Sequence, residues 1–250
     1  MAAPIPFFRL PFAIASATAP VLPANSVKSL FPTGPEFDAD AHWLLGGSAA
    51  SLVDVVSGRS LIPAGAAPTY GTNFVTTADS NASGLLSPFD DAVEQTVCTV
   101  FQRPSVGGDA VIFGSLTSSS AAGGNGALML TSGALQAQTR GYTAEPVSVA
   151  QSAATAAGTW YFLAIAQTAT ERRIVRGALG TAIITAGTKT LATPMRKVAL
   201  GNGGYGSSSF LKGLSAAEFI NYSRGLTVDE MAAVYERSKL RMADRGITVA

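Results

Sequence analysis

From about His42 to Tyr222 the chain alternates short apolar runs with Gly, Ser and Asn clusters. That is the pattern of antiparallel strands joined by tight loops. Residues Thr96 to Gln102 place Val97, Thr99 and Phe101 on one face of a strand and Cys98 and Val100 on the other, both partly buried. Ala127 to Leu130 and Ala134 to Thr139 flank Thr131-Ser132-Gly133, whose glycine can take positive φ, so they predict a hairpin; Gln136 and Gln138 mark its solvated face. Trp160 to Gln167 is too apolar on both faces for an edge strand and belongs in the middle of a sheet. Ile183 to Ile184, Lys197 to Leu200 and Leu214 to Tyr222 are further strands. A total of roughly a dozen suits a two-sheet jelly roll.

The period changes near the C-terminus. Thr227 and Glu230 have the spacing of a capping box, followed by Met231, Val234, Tyr235 and Ser238 on one helical stripe, with Gly246 as a stop. The spacing predicts a helix over about 228–245. At the other end, proline recurs too often between Met1 and about Ala41 for a helix or central strand, because its nitrogen cannot donate a hydrogen bond. An extended arm, residues 1–41, is expected ahead of a sandwich over 42–250. Phe7, Phe8, Phe12 and Phe31 would expose much apolar surface there, so the arm is expected to be covered, by the sandwich, another copy or a larger assembly.

Composition narrows the functional classes. Charged residues make up 13% of the 250, against an ordinary fraction of roughly 25%, so the surface must be built from Ser, Thr, Ala and Gly. Seventeen basic and sixteen acidic residues, without a basic cluster among aromatics, give no footprint for nucleic acid. Cys98 is the single cysteine, which rules out an intrachain disulfide or a multi-thiolate metal site. Prolines 4, 6, 11, 20 and 23 interrupt the apolar N-terminus, which makes a poor secretory signal and no membrane span.

The segment LSAAEFINYSRGLTVDEMAAVYERSKL, Leu214 to Leu240, resembles the closing segment of laminin-G and concanavalin A-like domains. Tyr222, Arg224, Leu226, Thr227 and Glu230 carry the likeness as a strand, a Tyr-x-Arg-x-Leu turn and a capped helix. Leu52 to Gly58, Gly158-Thr159-Trp160 and Leu200-Gly201 follow in the family's order. The resemblance implies an all-β, two-sheet antiparallel jelly roll with one C-terminal helix. Such folds host lectins, calcium-dependent binders, glycosidases and passive structural modules, so the fold does not decide the function.

Candidate chemistry is sparse. Glycosidases of this fold use carboxylates on one strand face; the nearest match, Glu36, Asp38 and Asp40, lies in the arm and reads as a solvated acidic hinge. His42, the sole histidine, has no Gly-x-Ser-x-Gly partner and reads as a packing or surface residue beside Trp43. Gly201, Gly203 and Gly206 spell a dinucleotide-binding pattern without its strand-to-helix context, and read as a flexible turn. Asp90-Asp91 with Asp79, or Asp109 with Asn125, are the calcium candidates, and neither has a diagnostic spacing. No cofactor is expected. A glycan site would combine an aromatic platform with amides, and Asn125, Tyr142, Asn202 and Tyr205 are the candidates.

The expectation drawn from these features is a non-enzymatic component of a virion or phage-like particle. The arrangement resembles bacteriophage tail fibres, head spikes and capsid decoration proteins. The arm would contact other particle proteins, and the sandwich, as a self-associated trimer, would meet cell-surface polysaccharide. A secreted bacterial carbohydrate-binding module, and a glycoside hydrolase or lyase, are the alternatives.

Overall fold

A computed structural model describes residues 36, 38–104, 107–118, 123–142, 147–148, 156–177 and 182–250. The arm residues Phe7, Phe8, Phe12 and Phe31 lie outside them. In chain order the first strands are β1 (Ala41–Leu44), β2 (Ile62–Ala64), β3 (Thr69–Tyr70), β4 (Val75–Thr76) and β5 (Gly84–Asp90). Next come β6 (Gln95–Gln102), β7 (Ala110–Gly114), β8 (Asn125–Met129), β9 (Leu135–Thr139) and β10 (Val147–Ser148). The last are β11 (Trp160–Gln167), β12 (Glu171–Arg176), β13 (Ile183–Ala186), β14 (Lys197–Gly201) and β15 (Ser215–Tyr222), followed by helix α1 (Val228–Asp244).

Two antiparallel sheets stack as a sandwich. One runs β13-β12-β11-β6-β15-β4-β3, with β1 pairing the same edge of β15 further along; the other runs β10-β9-β8-β7-β14-β5-β2. Between them lie Trp43, Leu45, Phe101, Phe113, Leu163 and Phe219. The outer face of the first sheet is buried again: Cys98, Val100, Phe162, Ala164 and Ile220 pack under Met231, Val234, Tyr235 and Met242 of α1. Double burial explains why β6, β11 and β15 are apolar on both sides. Alanines at 164, 166 and 217 thin that surface beneath the helix. The second sheet's outer face is covered by a loop, with Tyr205 and Phe210 packed over Val111, Leu116 and Leu128.

The predicted strands and helix are present, and β11 is central, between β12 and β6. The hairpin forms in the register Ala127↔Ala137 and Met129↔Leu135, with Gly133 at φ +85°. Its polar face is less solvated than expected, since Gln138 is buried. The acidic hinge is corrected too. Glu36 is 3% exposed and held by two arginines, so at least its first carboxylate is an interior group and not a solvated one.

Candidate functional site

Alternation along β15 turns Glu218, Ile220 and Tyr222 toward α1, and β1 turns His42 the same way. The helix begins where sequence spacing placed it. Thr227 Oγ1 accepts from the Glu230 N–H at 3.2 Å, and Glu230 Oε2 accepts from the Thr227 N–H at 2.7 Å. That start sets Arg237, Ser238 and Arg241 along the edge facing Glu36 and Glu218. Arg241 donates from Nε to Glu218 Oε1 at 2.7 Å and from Nη1 to Glu36 Oε1 at 2.8 Å. Arg237 grips Glu36 with two nitrogens, at 2.9 and 2.8 Å.

His42 completes this network. The Glu36 N–H donates to His42 Nδ1 at 3.2 Å, so the ring hydrogen sits on Nε2 and is given to Glu218 Oε1 at 2.8 Å. Burial alone would raise the Glu218 carboxyl; the Arg241 guanidinium and the His42 hydrogen bond overcome it and hold the group at about 2. Two carboxylates and two guanidiniums balance in charge, with both His42 and Glu218 fully buried. The cluster fastens helix, sheet and incoming chain together and is closed to any substrate.

Beside it the molecule opens. A cleft of about 200 Å³ lies where the turn after β15 enters α1. Leu226, Ala233 and Val234 make an apolar wall, Tyr222 the floor, and Asp38, Arg224, Asp229 and Glu230 a polar rim. Arg224 reaches Glu230 at 2.8 Å and Asp38 at 3.5 Å, both pairs partly exposed. The Tyr222 residue is 2% exposed, and its hydroxyl has no hydrogen-bond partner among the described residues. Burial, with the nearby Cys98 and Glu36, pushes this phenol well above the usual tyrosine range, so it is a neutral donor. A buried hydroxyl without a partner is costly, which sets the cleft apart from an ordinary surface dent. A second, wider hollow of about 280 Å³ is lined by Thr76, Asp79, Gln102, Pro104, Lys212 and Ser215. Its polar groups are paired with each other, as in Lys212–Asp79 and Thr76–Ser215, each within 2.8 Å.

The four sequence candidates for a ligand patch are each at least nine-tenths buried. Asn202 and Tyr205 do come together: Asn202 Oδ1 accepts from the Tyr205 N–H at 2.8 Å and Nδ2 donates to the Phe210 carbonyl at 2.8 Å. This closes the glycine-rich turn upon itself, with Tyr205 set edge-on to Phe210 at 5.0 Å. Asn125 instead donates its backbone N–H to Ser115 Oγ at 3.1 Å, and Tyr142 accepts from Gln167 Nε2 at 2.7 Å beneath the Arg172 guanidinium. All four side chains serve packing, and none presents an open ring face.

The calcium candidates are likewise dispersed. Asp79 pairs with Lys212, Asp90 with Lys197, Asp91 with Lys189, and Asp109 accepts from Thr131. Among the described residues no three His, Cys, Asp or Glu side chains form a group that could hold a metal ion. Asp38 and Asp40 also separate from Glu36 in role, since Asp38 faces Arg224 and Asp40 accepts from Ser223. Sequence reading missed the cleft, although Tyr222, Arg224 and Leu226 were already noticed as a turn. The missing signal was the pairing register that sets the tyrosine under the start of the helix.

No family model and no curated protein matches this chain. Solved structures do. Trypanosoma rangeli sialidase in complex with sialic acid aligns over 83% of this chain and 34% of its own, at 10% identity and a TM-score of 0.58. The receptor-binding domain of botulinum neurotoxin D aligns over 82% of this chain and 54% of its own, at 16% identity and a TM-score of 0.54. The chain therefore spans a third of one neighbour and about half of the other. At such identities the likeness is one of fold: this chain is an antiparallel two-sheet sandwich with one C-terminal helix.

Proposed function

We propose that the protein is a non-catalytic binding module that takes a saccharide at the cleft between the β15 turn and α1. The unpartnered hydroxyl of Tyr222 carries this reading. A sugar offers an oxygen that would pair with that donor once the side chains covering it give way, and C–H faces to lie on Leu226, Ala233 and Val234. Arg224 would donate to further hydroxyls, and Asp38 and Asp229 would accept from them. Structural neighbours that include a receptor-binding domain and a sialidase holding sialic acid support binding as the theme. The hydrolase alternative lacks support, because Glu36 is committed to two arginines and the neighbouring aspartates have separate partners.

In this reading the apolar residues 1–41 anchor the module to a larger particle, a virion or phage-like one, with the sandwich outward. The test is a glycan-array screen of the whole chain alongside Arg224→Ala. Hits that weaken about tenfold or more in the variant, a difference of about 1.4 kcal/mol, support the cleft. Hits unchanged in the variant place the site elsewhere, and release of cleaved sugar overturns the non-catalytic reading.

A further inference from the structure

At one end of the sandwich, a lysine and an aspartate face each other out of contact with water. Asp91 follows β5 directly, and Lys189 lies in the connection from β13 to β14; both side chains are 0% exposed. Lys189 Nζ donates to Asp91 Oδ1 and, at 2.7 Å, to the Ala92 carbonyl. The carboxylate is held on both oxygens: the Ser115 hydroxyl donates to Oδ1 at 2.7 Å, and the Ala192 N–H donates to Oδ2 at 2.8 Å. Burial draws the lysine below its usual range, against the opposing pull of Asp91. Nothing in the saccharide reading uses these groups.

The geometry points to a modification site: we propose that Lys189 and Asp91 condense into an intramolecular isopeptide bond. In a dry site burial penalises both charges of the ionised pair and neither member of its neutral form, amine and carboxylic acid. Proton transfer from Nζ to Oδ1 gives that form and frees the nitrogen lone pair. The lone pair attacks the carboxyl carbon, and the C–N bond forms as negative charge moves onto Oδ2, where the Ala192 N–H receives it. Oδ1 takes the second proton from nitrogen, the C–Oδ1 bond breaks, and one water leaves. The ammonium gives up two hydrogens and the carboxylate one oxygen, so the step balances without oxidant or cofactor. Ser115 donates to the departing oxygen, and the Ala92 carbonyl accepts from the amine and keeps it beside the carboxylate. Proximity of this kind replaces a bimolecular encounter, which is why an uncatalysed amide bond becomes accessible once the chain is folded.

The product is a covalent staple between the end of β5 and the strand connection beside it, suited to a module pulled from outside while held at its arm. Intact-mass spectrometry of the full chain, purified natively and incubated at neutral pH, tests it. The expected mass is one water below that of the sequence, with a branched peptide containing both Asp91 and Lys189 after digestion. Lys189→Met should show the full sequence mass. Ser115→Ala, which keeps both reacting groups, should form the bond more slowly. A wild-type chain that retains its full mass overturns the proposal, and so does a water loss mapped to any other residue. Both readouts are independent of glycan binding, so failure here leaves the cleft untouched.

Discussion

Outside the eight-stranded sheet lies a seventeen-residue helix, while outside the seven-stranded sheet the cover is a loop folded around Asn202, Tyr205 and Phe210. A helix is a stiff cylinder about 10 Å across and cannot follow a twisted sheet to its edges. It is held along its second half by Glu36, His42, Glu218 and two arginines, and the cleft beside Tyr222 lies at its N-terminal end. The loop has no such constraint. Glycines at 201, 204 and 206 take positive φ, and one buried amide ties the segment down, so it seals the sheet beneath it. The same residue types, tyrosine with hydrogen-bonding neighbours, border a cleft under the rigid cover and make a core under the pliable one.

The largest effect is expected where the rigid cover is fastened. Glu218→Ala leaves Arg241 and His42 without their shared acceptor in the interior and should cost about 3–5 kcal/mol of stability, read by denaturant unfolding. The same group predicts acid sensitivity. Its folded value of about 2 lies below the ordinary 4.5, so its contribution is full above that ordinary value and is lost as pH falls toward 2. The wild-type unfolding midpoint should therefore drop across that window, and the variant should show a shallower slope there.

The loop side should respond less. Asn202→Ala removes two buried hydrogen bonds and should cost about 2 kcal/mol, with protease cleavage appearing within residues 203–212 while α1 stays protected. If the helix is cleaved first, the two covers are not independent. A smaller loss, about 1 kcal/mol, is expected for Thr227→Ala, which removes the cap at the cleft end of α1. Amide exchange should then quicken in the first turn of the helix and not at Arg241.

How much of this could be read from sequence depended on whether a residue's burial followed from its own neighbours. β6, β11 and α1 were legible because apolar periodicity and a capping box are local. β12, with the sequence ERRIVR, was not, because Arg172 is buried against Thr139 and Tyr142, partners on the opposite sheet's hairpin. β5 was obscured by Pro88, which falls where the register with β14 shifts between Lys197 and Ala199 and so gives up no regular ladder bond. The site was harder still. His42 meets Glu218 across 176 positions, and the burial of the Tyr222 hydroxyl is set by strand register and helix placement together. Asn202 and Tyr205, by contrast, were close in sequence and did meet, but their closeness let them satisfy each other.

The smallest change in stability should accompany the most informative change in binding. Tyr222→Phe deletes a hydroxyl that has no partner among the described residues, so the fold loses no hydrogen bond and sheds a desolvated polar group. Unfolding free energy should hold steady or rise by less than about 1 kcal/mol. Saccharide affinity should nevertheless fall by about tenfold, the worth of one hydrogen bond in a closed site. Calorimetric titration of a glycan-array hit into both proteins measures the second quantity, and denaturant unfolding the first. A variant destabilised by more than about 1 kcal/mol would mean the hydroxyl already has a partner in the folded chain. The contrast between the open cover and the sealed one would then disappear at its most specific point. Stability kept and affinity lost would separate a donor held for a ligand from one held for the fold.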